Sequence, residues 1–197
     1  MFRDGPLTRK APETIRYGSG RCALGALLVA SSKTGIVTIM VRDTQRRLVA
    51  DLAARFPKAT LLRDEKGSAA TVAKVARYIE APFRPFTLAL DIRGTELQKR
   101  VWDEVRKIPF GSTSSYSAIA AAIGAPRAIR AVASSCSRSG FAFAIPCHRV
   151  LHTGATPGSR RGGRQYEWVD YEAKLARKRQ GRAAGQDRVR GGGTTSR

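Results

Sequence analysis

The chain has 197 residues, enough for one large or two small domains, and its hydrophobic content of 42% is that of a folded globular protein, which excludes disorder throughout. Its 36 Lys and Arg against 15 Asp and Glu give a formal net charge of +21, which favours a polyanionic partner, nucleic acid before a membrane surface. No run approaches the roughly 18 apolar residues of a spanning helix, and MFRDGPLTRK lacks the apolar segment of a signal peptide, so the expectation is a cytoplasmic, nucleoid-associated protein with no membrane contact.

After a lead, 1–12, expected to be flexible, the text IRYGSGRCALGALLVASSKTGIVTIMVRD reads as strands. Within it Ala26 to Ala30 and Ile36 to Val41 are short apolar runs rich in β-branched residues, separated by the turn-prone SSKTG, the pattern of a β-hairpin. In TQRRLVADLAARF, Leu48, Leu52 and Phe56 recur four apart beside Val49, which predicts an amphipathic helix ended by Pro57. A second helix is expected from about Ser68 to Ile79, with Val72, Val75, Ala76 and Ile79 on one face. EAPFRPFTLALDIRG then runs extended through its prolines.

Near Gly94 strands and prolines give way to alanine-rich helical text, so the boundary is placed in the connection 81–93, dividing a domain 13–92 from a domain 93–180. Thr95 is a candidate N-cap for ELQKRVWDEVRKI, in which Leu97, Val101, Val105 and Ile108 line one face beside Trp102. PFGSTSSY is a turn. SYSAIAAAIGAPRAIRAVASSCSRSG then gives a helix, a break at GAP, and a second helix from Arg127 to about Cys136, a helix-turn-helix pattern on a basic protein. Such a pair also occurs in domains that bind no DNA, and the pattern leaves both readings open. Arg127, Arg130 and Arg138 are available to phosphates, and the small Ala131, Ser134 and Ser135 would let the helix approach a narrow minor groove closely. From Lys174 onward eight Lys or Arg meet one acid, Asp187, and GRAAGQDRVRGGGTTSR has almost nothing to bury, so 181–197 is expected to be a disordered basic tail.

The three cysteines, Cys22, Cys136 and Cys147, form no CxxC pair, and with two histidines in the chain no zinc site of usual spacing can be assembled. No metal and no cofactor is expected. Cys147 stands in FAFAIPCHRVLHTG, where Pro146, Cys147, His148 and Arg149 follow an apolar segment read as a strand that ends at the proline. A free thiol, of pKa about 8.5, is mostly protonated near neutral pH, and the thiolate is the nucleophile. Consecutive side chains diverge on a helix or strand. His148 would therefore act on Cys147 through a bridging water, with a carboxylate orienting its other nitrogen. A buried cysteine beside a solvent-facing histidine is the plainer alternative.

The longer text RGTELQKRVWDEVRKIPFGSTSSYSAIAAAIGAPRAIRAVASSCSRSGFAFAIPCHRV resembles the O6-alkylguanine-DNA alkyltransferases, with their GT-x-hydrophobic-Q-x-x-VW, IP-x-G-x-T-x-SY, RAVA and IPCHRV landmarks in order. IRYGSGRCALGALLVASSKTGIVTIMV and LALDIRGT also resemble the methyltransferase half of Ada proteins. The resemblance implies an α/β (α+β) fold: a ribonuclease H-like sheet-and-helix domain, then a mostly helical, winged-helix-like domain whose helix-turn-helix enters the minor groove. It implies a monomer that acts on double-stranded DNA carrying O6-alkylguanine, moving the alkyl group from O6 of guanine, or O4 of thymine, irreversibly to Cys147, once per molecule.

By position, the resemblance makes Tyr116 the residue that rotates the backbone phosphate and donates to the guanine ring, and Arg130 the one that fills the gap left by the flipped base. Arg127, Ala131 and Ser134 would join the DNA contact. His148 would deprotonate Cys147 through water, Arg149 would be structural, and Val150 would lend its backbone to the pocket. The chain departs from the family at Ser139, where an Asn is usual, and after Val150, where Arg160 and Arg161 replace a glycine- and tyrosine-bearing pocket loop. The usual glutamate spacing lands on Lys174; a shorter loop brings Glu172 into register, and Glu172 is chosen over Glu167. An alkyltransferase-like lesion-binding protein is the alternative, against which Cys147 itself counts. A plain helix-turn-helix regulator would leave IPCHRV without a purpose.

Overall fold

The computed structural model describes residues 12–152 and 164–190. The chain divides into two units, Met1–Ala76 with Leu88–Asp91, and Arg77–Thr87 with Ile92–Arg197. The first is built on a β-hairpin and a third strand: β1 (Thr14–Cys22), β2 (Gly25–Ser31) and β3 (Ile36–Arg42), each antiparallel to the next. After α1 (Gln45–Arg55) the chain forms the short β4 (Thr60–Arg63), parallel to β1, so the sheet order is β3-β2-β1-β4.

Side chains alternate between sheet faces with a period of two. On one face Ile15, Ala26, Leu28, Ala30, Val37 and Met40 form a core with Leu48 and Leu52 of α1, the apolar stripe expected of that helix. Gly18 and Gly20 lie on the other side of β1, where α2 (Glu65–Glu80) packs closely. A Cβ on Gly18 would stand 2.5 Å from that of Ser68, so only glycine permits this approach.

The second unit takes residues 77–87, which the sequence reading had left with the first. A helix does not break where composition shifts. The last residues of α2 and the proline segment after it meet aromatics of the second unit: half-buried Tyr78 meets Phe86 edge-on at 4.9 Å, and the exposed Phe83 meets Phe110 at 5.8 Å. The unit continues with α3 (Glu96–Arg106), which opens on a capping box: Thr95 accepts from the Gln98 amide while the Gln98 side chain accepts from the Thr95 amide. Its buried face carries Val101, Trp102 and Val105. The short β5 (Ser114–Ser115) leads into α4 (Tyr116–Ala122), capped by the Ser115 hydroxyl on the Ala118 amide at 3.0 Å. Then come α5 (Ile129–Arg138), a 3-10 turn (Cys147–Arg149), β6 (Val150–Leu151), parallel to β5, and α6 (Arg164–Arg190).

Two expectations are corrected here. The run Phe141–Ile145 belongs to no strand; it coils, with the Ile145 amide donating to the Phe141 carbonyl at 3.0 Å. Residues 181–190, assigned to a disordered tail, lie in α6, whose Arg, Ala and Gln are helix formers. Among the described residues no helix is long and apolar enough to cross a membrane, and no cluster of His, Cys, Asp or Glu could hold a metal ion.

Trp102 joins α3 to α5: its indole N–H donates to the Ser135 carbonyl at 2.9 Å in a buried setting. Trp102→Phe leaves that carbonyl without its donor, and the expected loss is about 1–3 kcal/mol, read as a lower urea midpoint with an unchanged slope.

Candidate active site

Cys147 reaches its place by turns. Gly140 just beyond α5 has φ +66, the left-handed region that glycine tolerates. Phe143 has φ +62, which costs a bulky residue about 1–3 kcal/mol; its buried ring packs on His148 at 4.6 Å and Trp168 at 5.1 Å between centroids. Positive φ is incompatible with a strand, which is why the apolar run coils. Pro146 then leads into the 3-10 turn, where the Arg149 amide donates to the Pro146 carbonyl at 2.9 Å.

The turn sends two of its three side chains, His148 and Arg149, to one carboxylate and Cys147 to other neighbours. Arg149 is buried and forks onto Glu172 of α6, Nε to Oε2 at 2.8 Å and Nη2 to Oε1 at 2.9 Å, while Nη1 donates to the Ile108 carbonyl at 2.7 Å. His148 Nε2 lies 3.0 Å from Glu172 Oε1, with both side chains almost wholly buried. The approach is close but off the axis of a hydrogen bond, so Nε2 has no aligned partner. Contact of this kind commonly tightens when substrate binds. Glu172 is thus the carboxylate brought to His148, whereas Glu167 and Lys174 are exposed.

Burial acts to raise the Glu172 pKa, but the close imidazole of His148 and the hydrogen bonds and charge of Arg149 outweigh it and hold the carboxyl below its usual range. Burial pushes the His148 imidazole down; Glu172 opposes this without reversing it. The pair is therefore a carboxylate beside a neutral imidazole. The carboxylate favours the proton on Nε2, which leaves Nδ1 as the basic nitrogen.

Cys147 is raised well above an ordinary thiol, first by a hydrogen bond with the Cys136 thiol, then by burial, with the Ser139 hydroxyl pulling the other way. Both neighbours come from the end of α5. Cys136 and Ser139 are buried, and Ser139 Oγ also accepts from the Phe141 amide at 3.4 Å. Sequence reading placed Ser139 near the pocket and missed Cys136, whose only signal was its place on the buried face of α5. Val150 is fully buried directly after the turn.

The other expected residues lie elsewhere. Tyr116 opens α4 directly after β5, the strand paired to β6, and its ring meets His152 at 5.1 Å. Arg127, expected to open the second helix, is exposed in the turn before α5; Arg130 and Ser134 are exposed along α5 and Ala131 is half-buried. Ser135, one of the three small residues read as facing a partner, is instead buried, its hydroxyl donating to the Ala131 carbonyl at 2.7 Å. Ile129, not singled out in the sequence, is 43% exposed among these arginines. Arg160 and Arg161 lie outside the described residues.

The profile of the family described as 6-O-methylguanine DNA methyltransferase, DNA binding domain, matches residues 96–183. A probable methylated-DNA--protein-cysteine methyltransferase of Acanthamoeba polyphaga mimivirus is 35% identical over 148 residues, 74% of this chain and 95% of that protein. The chain belongs to this methyltransferase family. The bifunctional transcriptional activator/DNA repair enzyme Ada of Escherichia coli K12 is 40% identical over 164 residues, 83% of this chain but 45% of that protein, so the chain spans under half of that relative. A crystal structure of Mycobacterium tuberculosis OGT in complex with DNA superposes with a TM-score of 0.64 at 28% identity, covering 81% of this chain and 93% of that one. The fold is accordingly the mixed α+β fold of these alkyltransferases, with a mostly helical part.

Two outcomes follow from these contacts. Cys136→Ala removes the hydrogen bond that raises the Cys147 thiol, so iodoacetamide labelling of Cys147 near neutral pH should be faster than in the parent, with the pH midpoint of labelling moved down. The His148 and Glu172 shifts have the same sign for stability. On acidification the unfolded chain takes up protons first, at imidazole near pH 6.5 and at carboxyl near pH 4.3. The stability they contribute is complete above the unfolded imidazole value and lost as pH falls, so the urea midpoint should drop from pH 7 to pH 5 and further in the carboxyl range. Glu172→Gln should flatten that lower part.

Proposed function

We propose that this chain is a direct-reversal DNA repair protein that moves the alkyl group of O6-alkylguanine, or O4-alkylthymine, in duplex DNA to the sulfur of Cys147, one turnover per molecule and without a cofactor. The observation that carries the reading is the His148–Glu172–Arg149 arrangement directly after Cys147: a neutral imidazole, oriented by an ionised carboxylate that a buried arginine holds in place. The names of its relatives point the same way.

In the proposed step Nδ1 of His148 takes the thiol proton through a water, and sulfur attacks the alkyl carbon in line with the C–O6 bond. That bond breaks with its electron pair passing to guanine, and a proton gained at a guanine ring nitrogen balances the one lost from sulfur. We assign Tyr116, at the start of α4, to donate toward the leaving base. The product is a thioether, which no base in the site can reverse. Because O6 lies in the major groove of a stacked base, the nucleotide must be flipped. We assign Arg130 to the gap it leaves, and Arg127, Ala131 and Ser134 to the minor-groove contact. Val150 and Ser139 would line the pocket. The β3-β2-β1-β4 order with a parallel fourth strand supports a ribonuclease H-like first unit, and α3 to α5 beside β5 and β6 support a winged-helix-like second one. The protein would work as a monomer on chromosomal DNA in the cytoplasm.

The test is the intact mass after incubation with a duplex containing O6-methylguanine. A gain of one methyl on the Cys147 peptide, absent in Cys147→Ala, is expected. His148→Gln should slow transfer by about 10²–10⁴-fold. Lesion binding with no mass gain would overturn the transfer reading in favour of a lesion-binding protein.

A further inference from the structure

The helix α6 has two faces with different tasks. Its inner face packs on its own unit: Val169 and Glu172 are buried, the Tyr171 hydroxyl donates to the Ile79 carbonyl at 3.2 Å, and the Arg179 guanidinium lies 4.1 Å over the Phe83 ring. Its outer face presents Lys174, Arg177 and Lys178, all exposed. Among the described residues none of the three forms an ion pair, although Asp170 stands four residues before Lys174.

Neither helix stability nor the helix dipole accounts for these cations. Like charges at i, i+3 and i, i+4 repel on a helix surface. Lys174 and Lys178 are four apart, and Lys174 and Arg177 are three apart. The macrodipole rewards cations only within the last turn, and α6 runs on to Arg190, well beyond Lys178. An arrangement that costs the isolated helix stability is relieved when a polyanion neutralises it.

We infer that the outer face of α6, through Lys174, Arg177 and Lys178, is a second contact with the phosphates of duplex DNA, additional to the helix-turn-helix. The partner rests on the repair reading above. The contact carries no sequence or lesion information; it adds a sequence-independent, salt-sensitive part to binding and holds the protein on undamaged DNA.

The experiment compares the full chain with a variant carrying Lys174→Ala, Arg177→Ala and Lys178→Ala, by the dependence of undamaged-duplex affinity on salt. Each phosphate contact contributes about 0.9 to the slope of log K against log salt, so the variant should be shallower by up to about 2.7 and weaker at low salt. Lys174→Arg with Lys178→Arg should keep the parent slope. Thermal unfolding should be unchanged or higher in the alanine variant, because repulsion is removed, and methyl transfer at saturating O6-methylguanine duplex should equal that of the parent. A parental slope in the folded alanine variant would overturn the proposal. If the parent itself transfers no methyl, the repair reading fails, while the slopes still decide whether this face touches DNA.

Discussion

One buried carboxylate organises the second unit's chemistry. Glu172 receives a fork from Arg149 and faces His148, so a single residue of α6 fixes two of the three side chains of the turn that bears Cys147. A lone carboxylate would not remain ionised in such burial, and a lone guanidinium would not be tolerated there. Each is held by the other, and Arg149 is anchored further by the Ile108 carbonyl at the end of α3. The imidazole then inherits its orientation from a pair that would exist for structural reasons alone.

The thiol is handled differently. Burial and the Cys136 thiol keep Cys147 protonated at rest, and Ser139 only partly offsets them. A protonated thiol is a poor nucleophile toward soluble electrophiles, which suits a residue that can be used once. The base is nevertheless adjacent in sequence and neutral, hence ready to accept a proton when a substrate orders the intervening space. Strain is stored close by: Phe143 holds a positive φ while its ring packs against both His148 and Trp168, so the backbone cost and the placement of the imidazole are set by the same contacts.

Much of this was legible before the fold was known. The period of Leu48 and Leu52, the capping signal at Thr95, and the GAP break between α4 and α5 are local, and local signals survive folding. What was not legible depends on contacts distant in sequence. The strand β4 is four residues of TLLR with no buried side chain, a strand only because β1 offers it a partner. The alternation in FAFAI imitates a strand, and nothing local announces a left-handed phenylalanine. Spacing alone could not choose between Glu167, Glu172 and Lys174; the family resemblance offered Glu172 only through a shortened loop, and packing of α6 decides it. Ser135 reads as a small residue of a binding face, and Cys136 is given no role at the site, because a helix boundary shifted by two residues leaves the orientation of its faces undetermined.

The charge of the chain and the chemistry of its site are kept apart by the same carboxylate. A net charge of +21 would be expected to draw down the pKa of any cysteine near its cations. Arg149, two residues from Cys147, does not do so: its charge is cancelled at bonding distance by Glu172, and the groups that set the thiol are Cys136, Ser139 and burial. The remaining basic groups, those proposed to meet DNA on α5 and on the outer face of α6, are exposed, where water and salt screen them. Attraction to a polyanion can therefore be strong without forcing the nucleophile into its reactive form. In the proposed reaction, activation is left to the imidazole.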